Sequence, residues 1–232
     1  MKLAILMSTF NGGRYIGEQI ASILHQDFAG FDLIIRDDGS TSPEFIRYLK
    51  ELPEIDKRIR VIPGENIGVK HSFFRLLNDF AGEYDYLALA DQDDYWYPRK
   101  LSNALDMLKG KPDTAVICFS ACEITGERLN PVSIHPSGDF KSDIRNILCQ
   151  NRTAGCTMVF TRRAAAYALA TSQLHRIYMH DWWLMITGAF FGEIIFDPRP
   201  QVKYRQHSGN VLGGTGNPVL KFVKRLQRAK RK

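Results

Sequence analysis

The sequence predicts an α/β domain whose central sheet is mostly parallel and carries helices on both faces. Over residues 1–110, short apolar runs typical of buried strands alternate with segments whose apolar side chains recur at helical spacing. Such alternation is typical of parallel strands joined by helical crossovers. Polar clusters at residues 8–11, 37–40 and 91–94 each follow a predicted strand. Since ligands bind beyond the carboxyl ends of the strands in such open sheets, the clusters predict one shared site.

The first half of the chain contains four predicted strands and four predicted helices. Each strand is a short apolar run, and each helix keeps its apolar residues on one face. The strands are expected at residues 3–8, 31–36, 59–62 and 86–90. The helices are expected at residues 15–24, 43–52, 73–80 and 101–108.

The second half is less regular. Strands are expected at residues 115–120, 157–161, 194–196 and 202–207. Helices are expected at residues 144–150 and 163–169 and from residue 181 onward. Residues 130–140 contain two prolines, a histidine and a glycine, which predicts a mobile loop. With no repeat and no clear linker, the sequence predicts a single domain over residues 1–217 and a tail over 218–232.

Composition is that of an ordinary globular protein, with 44% hydrophobic and 24% charged residues among 232. No apolar run reaches the roughly 17 to 25 residues that a membrane-spanning helix needs. The longest candidate, at residues 182–196, contains Glu193. Residues 1–7 show no small-residue cleavage site and predict a buried strand rather than a signal peptide. We therefore expect a cytoplasmic protein.

The four cysteines show no C-x-x-C spacing, and their density is too low for a disulfide scaffold. They are Cys118, Cys122, Cys149 and Cys156. We expect four reduced thiols in the core of the domain, and we do not expect zinc as a cofactor.

The basic character of the chain is concentrated at its C-terminal end. Of the 31 basic residues, seven lie within residues 218–232, which contain no acidic residue. Without them the basic residues number just below the 25 acidic ones, so the formal net charge of +6 belongs to the tail. Val219, Phe222, Val223 and Leu226 recur at helical spacing, which favours peripheral contact with anionic lipid at the inner face of the cell membrane. The alternatives are a disordered end, a helix that docks on a second copy in a homodimer, and a nucleic-acid tail, although nucleic acid is not an expected partner.

Three carboxylates, Asp91, Asp93 and Asp94, lie within four positions directly after the apolar run at residues 86–90. Carboxylates this close repel one another and are costly to desolvate, which predicts a cation among them. Mg²⁺ or Mn²⁺ is the natural partner, because hard cations take oxygen ligands and leave positions for substrate phosphates. The alternative is a solvated acidic turn that caps the next helix.

Two common phosphate-binding patterns are absent from the sequence. There is no G-x-x-x-x-G-K-[ST] motif, and no G-x-G-x-x-G motif follows the first strand. A nucleotide bound by this chain is therefore expected to have its diphosphate held through a metal rather than through a glycine-rich loop.

Several short motifs, in this order and spacing, resemble those of the inverting family 2 glycosyltransferases with the GT-A fold. In the first half they are Ser8-Thr9-Phe10-Asn11, Asp37-Asp38-Gly39-Ser40, Asn66-x-Gly68 and Asp91-x-Asp93-Asp94-x-Trp96. Three later segments resemble the rhamnosyltransferase branch: Thr153-Ala154-Gly155-Cys156-Thr157-Met158, His180-Asp181-Trp182-Trp183 and Tyr204-Arg205-Gln206-His207-Ser208-Gly209-Asn210. The resemblance implies a half that binds a nucleotide sugar at residues 1–110 and an acceptor-binding half at residues 111–217.

The resemblance assigns the nucleotide of a sugar donor to the first half. Ser8 and Phe10 would line the base pocket, where the aromatic ring offers a flat surface to a pyrimidine. Asp38 would accept the hydrogen bond of the pyrimidine N3–H, and Asp37 would be the more structural neighbour. Asp91 would hold a hydroxyl of the ribose or deoxyribose. Core packing is the alternative for Phe10, and a helix-capping turn is the alternative for Asp38.

Metal and diphosphate contacts are also implied by the resemblance. Asp93 would ligate the metal together with His207, whereas Asp94 keeps the role of a cap for the following helix. Lys70 and Arg205 would steady the diphosphate. A cation held in this way would stabilise the charge that develops on the diphosphate oxygens.

Inversion requires a base on the face of the donor sugar opposite the leaving nucleoside diphosphate. The resemblance implies Asp181, at a predicted helix start where the family usually carries an acidic residue. Many members have Glu-Asp here, whereas this chain has His180-Asp181. His180 would either hydrogen-bond to Asp181 or take the base role itself, and a simple helix N-cap is the alternative for Asp181. Trp96, Trp182 and Trp183 would offer ring faces to sugars, with core packing favoured for Trp183.

The expected function is metal-dependent inverting transfer of L-rhamnose from dTDP-L-rhamnose to a growing cell-surface polysaccharide or lipid-linked glycan. One alternative is a transferase that uses UDP-glucose, UDP-galactose or UDP-N-acetylglucosamine, because uracil and thymine share the N3–H. Another is a nucleotidyltransferase that forms sugar nucleotides, although residues 11–14 are only a faint version of its glycine-rich basic loop. The third is a binding module without catalysis.

Overall fold

The computed structural model describes residues 1–111, 113–136, 140, 143–170 and 173–210. The strands within these ranges are β1 Leu3–Thr9, β2 Phe31–Asp37, β3 Ile59–Pro63, β4 Tyr86–Ala90, β5 Tyr95–Trp96, β6 Val116–Thr125, β7 Pro131–His135, β8 Met158–Thr161 and β9 Glu193–Arg205. The helices are α1 Ile16–Leu24, α2 Pro43–Ile55, α3 Val69–Phe80, α4 Lys100–Leu108, α5 Ile144–Cys149, α6 Arg162–Leu169 and α7 His180–Phe191. Short 3₁₀ turns lie at Gly155–Thr157 and Leu174–Arg176.

All the strands within the described ranges belong to one sheet. Their order is β3–β2–β1–β4–β8–β6–β9–β5, and β7 pairs with β6 off this path. Strands β1 to β4 are parallel to one another, as are β6 and β9. Strand β8 runs antiparallel to both of its neighbours. The predicted fold class is therefore confirmed, with a mixed and mostly parallel sheet at its centre.

Helices cover both faces of this sheet, because alternate side chains of the central strands point to opposite sides. Leu3, Ile5 and Met7 of β1 pack in one apolar cluster with α1, α2 and α4. Ala4 and Leu6 pack in the other with α3, α6 and α7. Burial of each large side chain contributes about 1.5–3 kcal/mol. Burial on both sides also explains why the central strands are continuous apolar runs in the sequence.

The elements predicted for residues 1–110 are present, and β5 is an additional two-residue strand. The tail at residues 218–232, with its lipid, nucleic-acid and second-copy interpretations, lies outside the described residues. Within the described ranges, no helix is long and apolar enough to cross a bilayer.

The mobile loop predicted at residues 130–140 is wrong for its first part. Pro131–His135 form β7, which pairs antiparallel with the end of β6. Its side chains are largely exposed, with Val132 at 75% and Ile134 at 51%. Backbone hydrogen bonds to β6 hold this strand rather than side-chain burial, so its sequence lacks the buried apolar pattern that predicts a strand. Residues 137–139 of the same segment lie outside the described residues.

The two strands predicted at residues 194–196 and 202–207 are one long strand, β9. Its register against β6 shifts around Ala121, which pairs with Pro200. A proline has no N–H to give to the ladder, and such positions are accommodated by irregularities of the bulge type. The prolines therefore suggest a break in the sequence where the structure has a continuous strand with a bulge.

The prediction of four core cysteines is correct for three of them. Cys118, Cys122 and Cys156 are buried and free. Cys149 is exposed at the end of the short helix α5, so the prediction is wrong there.

Candidate active site

The polar clusters predicted after β1, β2 and β4 lie at one edge of the sheet. Strand β1 is flanked by the other two, and the register pairs Thr9 with Asp37 and Met7 with Ala90. Because the strands are parallel, all three end at the same edge. The shared site expected from the sequence therefore has a structural basis. We call residues 8–11 and 37–40 the base-side loops, and residues 91–94 the acidic run.

Asp38 lies at the centre of the base-side loops and is 3% exposed. Its Oδ1 accepts hydrogen bonds from Arg36 and from the backbone N–H of Ile67 at 3.0 Å. Its Oδ2 accepts from the backbone N–H of Gly68 at 2.9 Å, where φ is +81°. A carboxylate oxygen accepts about two hydrogen bonds, so Oδ2 retains acceptor capacity for a ligand.

Two further predicted residues lie beside Asp38. The Ser8 hydroxyl donates to Ser72 Oγ at 2.6 Å, and Arg36 Nη1 donates to the same Ser72 oxygen at 3.0 Å. Ser8 is thus connected to Asp38 through Ser72 and Arg36. Phe10 is 43% exposed, which leaves its ring available to a ligand and does not fit the core-packing alternative.

The two neighbouring aspartates after β2, Asp37 and Asp38, accept hydrogen bonds from different backbone segments. Asp37 Oδ1 accepts the backbone N–H of Ser40 at 3.1 Å, which is the structural role expected for it. The side chain that caps α2 is Ser42, whose hydroxyl accepts from Phe45 N at 3.4 Å. The helix-capping alternative for Asp38 is therefore wrong.

Burial and mutual repulsion disfavour the ionised forms of Asp91 and Asp94 in the acidic run. Burial, followed by the charges of Asp94, Asp93 and Asp181, raises the pKa of Asp91 well above its usual range. Burial and the charge of Asp93 raise the pKa of Asp94 to about 7. A bound cation would favour the ionised carboxylates and relieve this cost. These carboxylates therefore fit the hard divalent cation that the sequence predicts.

Two groups of donor atoms lie along the acidic run. The Nε2 atom of His207 lies 2.7 Å from Asp93 Oδ2, so the structure brings both predicted metal ligands together. Ligand atoms of Asp91, Asp94 and Cys156 lie within 4.8 Å of one another. Burial raises the pKa of the Cys156 thiol well above its usual range. A protonated thiol is a poor ligand for Mg²⁺ or Mn²⁺, so the carboxylates and the imidazole are the better donor set.

Asp94 does not cap the following helix, and this prediction is wrong. The N-cap of α4 is Arg99, and β5 intervenes between Asp94 and that helix. Asp94 is fully buried, and its Oδ1 accepts the backbone N–H of Arg205 at 3.0 Å. Its Oδ2 has no hydrogen-bond partner among the described residues. The chain turns inward after Asp93 because the next strand pairs with β9.

The structure gives Arg205 a role different from the expected contact with a diphosphate. Its buried guanidinium donates to the backbone oxygens of Asp93 and Glu127 and to the carboxylate of Glu18. The side chain therefore fastens the acidic run to α1 and to the turn after β6.

Lys70 is likewise engaged with the chain itself. Its Nζ donates to the backbone oxygens of Leu174 at 3.0 Å and Ile177 at 2.9 Å. In this structure Lys70 fixes the segment that precedes α7 rather than facing a diphosphate.

Asp181 lies in the first turn of α7 and is 7% exposed. Its Oδ1 accepts the backbone N–H of Trp182 at 2.7 Å, and its Oδ2 accepts from Asn151 Nδ2 at 3.2 Å. The N-cap position belongs to Met179, so the simple N-cap alternative is wrong. Its charge contributes to the raised pKa of Asp91. Asp181 therefore lies within electrostatic range of Asp91, and Asn151 is an additional polar partner of Asp181 that no sequence pattern indicated.

His180 is 4% exposed and stacks on the ring of Phe73 at a centroid distance of 4.1 Å. Its Nδ1 has no hydrogen-bond partner within the described part of the chain, so the expected bond from that atom to Asp181 is not formed. Burial lowers the pKa of His180. Burial therefore favours the neutral imidazole, and stacking on Phe73 fixes its ring.

The three tryptophans differ in their burial and in their hydrogen bonds. Trp96 is fully buried, so its predicted role as a sugar-facing ring is wrong. Trp183 donates its Nε1–H to Ala168 O at 2.9 Å and packs against the second apolar cluster, as favoured from the sequence. Trp182 is half-buried and donates to Ile147 O at 2.6 Å.

Burial of Trp96 is coupled to burial of an unpaired amine. Lys100 is 1% exposed, and its Nζ lies 3.7 Å from the centroid of the Trp96 ring. Nζ has no hydrogen-bond partner among the described residues. Burial lowers the pKa of Lys100 to about 7, against the opposing influence of Cys156, Cys118 and Asp94. The charged amine is therefore a cost to the folded state.

We expect Lys100→Met to raise the midpoint of thermal unfolding by about 3 °C or more at about pH 6. The unfolded amine has a pKa near 10.5, so the cost of burying it is complete below the folded pKa of about 7. This cost fades as the pH rises toward 10.5, and the gain should be smaller at about pH 9. Thermal unfolding at both pH values measures this, with Lys109→Met on the exposed end of α4 as the control. An equal gain at both pH values would contradict the account.

The fold is that of the GT-A class of glycosyltransferases. The family model described as Glycosyl transferase family 2 matches residues 4–169, and the chain belongs to this family.

Relatives and solved structures agree with this assignment. The chain is 29% identical to a dTDP-rhamnosyl transferase, RfbG of Shigella flexneri, over 95% of this chain and 78% of that protein. It is similar in fold to S. aureus TarS 1-349 in complex with UDP-GlcNAc, at a TM-score of 0.65, 17% identity, and coverage of 97% and 64%. It is also similar to a mannosyltransferase of Pyrobaculum calidifontis in complex with GDP-Man and Mn²⁺, at a TM-score of 0.63, 15% identity, and coverage of 99% and 64%. The chain thus spans slightly less than two thirds of these two solved chains.

Proposed function

We propose that this chain is a metal-dependent inverting glycosyltransferase that moves L-rhamnose from dTDP-L-rhamnose to a cell-surface polysaccharide or lipid-linked glycan. The observation that carries the proposal is the placement of Asp38 and the acidic run at one edge of the sheet, with Asp181 close enough for its charge to act on Asp91. The nucleotidyltransferase alternative is not retained, because the chain belongs to a family of glycosyl transferases.

Base recognition in this proposal rests on Asp38 and Phe10. The remaining acceptor capacity of Asp38 Oδ2 suits the N3–H of a pyrimidine, and the exposed Phe10 ring suits its face. These contacts serve thymine and uracil equally. We favour dTDP because the Shigella flexneri relative is named a dTDP-rhamnosyl transferase. A UDP-sugar remains the alternative donor, since TarS has been solved with UDP-GlcNAc.

Asp93 and His207 would hold the cation, and Asp91 beside them would hold a hydroxyl of the nucleotide's deoxyribose or ribose. When bound, a divalent cation of this kind neutralises negative charge on the diphosphate of the leaving group. Mg²⁺ and Mn²⁺ both suit the donor set. The mannosyltransferase similar in fold was solved with Mn²⁺.

Asp181 is proposed as the general base that takes the proton of the acceptor hydroxyl. The hydrogen bonds from Trp182 N and Asn151 Nδ2 fix the orientation of its carboxylate. His180 is less suited to this role, because its ring is fixed against Phe73 and its Nδ1 is enclosed without a partner among the described residues. The Asn151 amide therefore acts as a positioning group for the base.

A thermal-shift panel tests the donor part of this proposal. We expect dTDP with Mn²⁺ to raise the unfolding midpoint most, UDP to follow, and GDP to have little effect, because a purine is larger than the pyrimidine expected between Asp38 and Phe10. EDTA should abolish most of the increase, because a ligand stabilises the folded state less as its dissociation constant rises, and removal of the cation should weaken diphosphate binding. If none of the three diphosphates changes the midpoint, the site assignment is wrong.

A further inference from the structure

Gln92 is the uncharged residue of the acidic run and lies between Asp91 and Asp93. Its Oε1 accepts the Thr9 hydroxyl at 2.6 Å and the backbone N–H of Phe10 at 2.9 Å. Its Nε2 donates to the backbone oxygen of Phe10 at 3.4 Å. The amide thus pairs with both polar backbone groups of Phe10, much as a neighbouring strand would. We call this set of three hydrogen bonds the Gln92 clasp.

The loop after β1 is shaped around the clasp. A Cβ atom at Gly12 would lie 2.4 Å from Gln92 Oε1 and 2.8 Å from its Cδ, so a larger residue there would displace the amide. On its other side the same loop is fastened to the loop after β2. Asn11 Oδ1 accepts the backbone N–H of Thr41 at 3.0 Å, and Asn11 N donates to Ser40 Oγ at 2.8 Å.

These bonds join two parts of the site that contact different parts of a nucleotide. Phe10 belongs to the base-side loops, whereas Asp91 and Asp93 flank Gln92 in the acidic run. Phe10 is 43% exposed, so side-chain packing alone does not fix its position. The Gln92 clasp fixes the position of Phe10 through hydrogen bonds to its backbone N–H and carbonyl oxygen.

We propose that Gln92 is a positioning residue for the donor, holding the Phe10 ring at a fixed separation from the acidic run. It rests on the proposed function, because it takes the donor to be a pyrimidine nucleoside diphosphate. When the Phe10 ring and the acidic run are already held in the positions that the donor requires, the site loses less conformational entropy on binding. Gln92 therefore adds affinity for a ligand that carries both base and diphosphate, and adds nothing for a diphosphate alone.

The experiment compares two ligands, dTDP and inorganic pyrophosphate, each titrated with Mn²⁺ present. We expect Gln92→Met, which keeps the side-chain length and removes all three hydrogen bonds, to weaken dTDP binding about tenfold, equivalent to about 1.4 kcal/mol. Pyrophosphate binding should change by less than about twofold, because it does not use the base-side loops. The informative quantity is the dissociation constant of dTDP divided by that of pyrophosphate, measured for the same protein.

Two further variants separate the clasp from a general loss of stability. Gly12→Ala should raise the dissociation constant of dTDP relative to that of pyrophosphate, because the added Cβ atom displaces the amide while residue 92 remains glutamine. Gln92→Glu should restore part of dTDP binding, since a carboxylate still accepts from the Thr9 hydroxyl and from Phe10 N. Unfolding midpoints are recorded for each variant alongside the titrations.

The outcomes distinguish this inference from the proposed function. If the variants lower the unfolding midpoint but leave the ratio unchanged, or if both ligands weaken equally, Gln92 is only structural and the inference is overturned. If the unaltered protein binds dTDP no better than pyrophosphate, the proposed function fails and the inference fails with it.

Discussion

Asp181→Asn is expected to lower turnover by about 10² to 10⁴-fold, the usual contribution of a general base. The amide is nearly isosteric and can still accept the backbone N–H of Trp182, so the first turn of α7 should be preserved. It cannot take a proton from the acceptor hydroxyl. Donor binding should remain nearly unchanged, because no proposed contact of the donor nucleotide uses Asp181.

The measurement pairs steady-state transfer with dTDP titration of the same preparation. Asp79→Asn is the matched control, since it makes the same chemical change on the exposed surface of α3. Near-normal turnover in the Asp181 variant would reject its assignment as the base. Loss of dTDP binding in that variant would place Asp181 in the donor site instead.

The second large effect is expected for Asp93→Asn, which should remove the dependence of dTDP binding on Mn²⁺. Asp93 lies 2.7 Å from His207 Nε2, so one substitution alters both groups of the expected metal site. Even outer partners of metal ligands typically contribute about 10 to 100-fold in metal affinity, and loss of a ligand should cost at least as much. Binding of dTDP should therefore fall more than about tenfold with Mn²⁺ present and change little with EDTA.

This prediction is checked by titrating dTDP with Mn²⁺ and with EDTA in both proteins. Asp106→Asn on the exposed face of α4 provides the control. A variant that keeps the full enhancement by Mn²⁺ would show that Asp93 is not a ligand. His207→Ala should reproduce the effect if the imidazole shares the cation.

The central strands were predictable because each is a short, continuous run of apolar residues, which is the pattern of a strand buried on both faces. Leu6 and Leu89 lie in fully buried runs that end in polar residues, and parallel pairing then brings those ends together. The same logic placed the base-side loops and the acidic run at one edge. In this part of the molecule local pattern and long-range structure agree.

Other features depend on partners that are distant in the chain. The guanidinium of Arg205 meets the carboxylate of Glu18, which lies 187 residues away in sequence. An isolated Arg within a polar motif suggests a ligand contact equally well. Asp94 shows the same limit, because its burial results from the pairing of β5 with β9. The exposed strand β7 carries no burial pattern at all.

The position of Asp181 depends partly on local sequence and partly on residues that are distant in the chain. Its place at a helix start follows from the local sequence, but its approach to Asp91 requires the packing of α7 against the sheet. Its hydrogen bond from Asn151 joins two segments that no single pattern connects. The sequence therefore indicated Asp181 as a candidate base but not Asn151, whose amide donates to its carboxylate.

The most direct test of the account is the rate at which nucleoside diphosphate is released from dTDP-L-rhamnose and from several UDP-sugars, with Mn²⁺ and with EDTA. We expect release of dTDP from dTDP-L-rhamnose in the presence of Mn²⁺, little release from the UDP-sugars, and none with EDTA. Faster release from a UDP-sugar would retain the glycosyltransferase and change its donor. Failure to release a diphosphate from any of these donors, or release that persists with EDTA, would contradict a metal-dependent sugar transfer at this site.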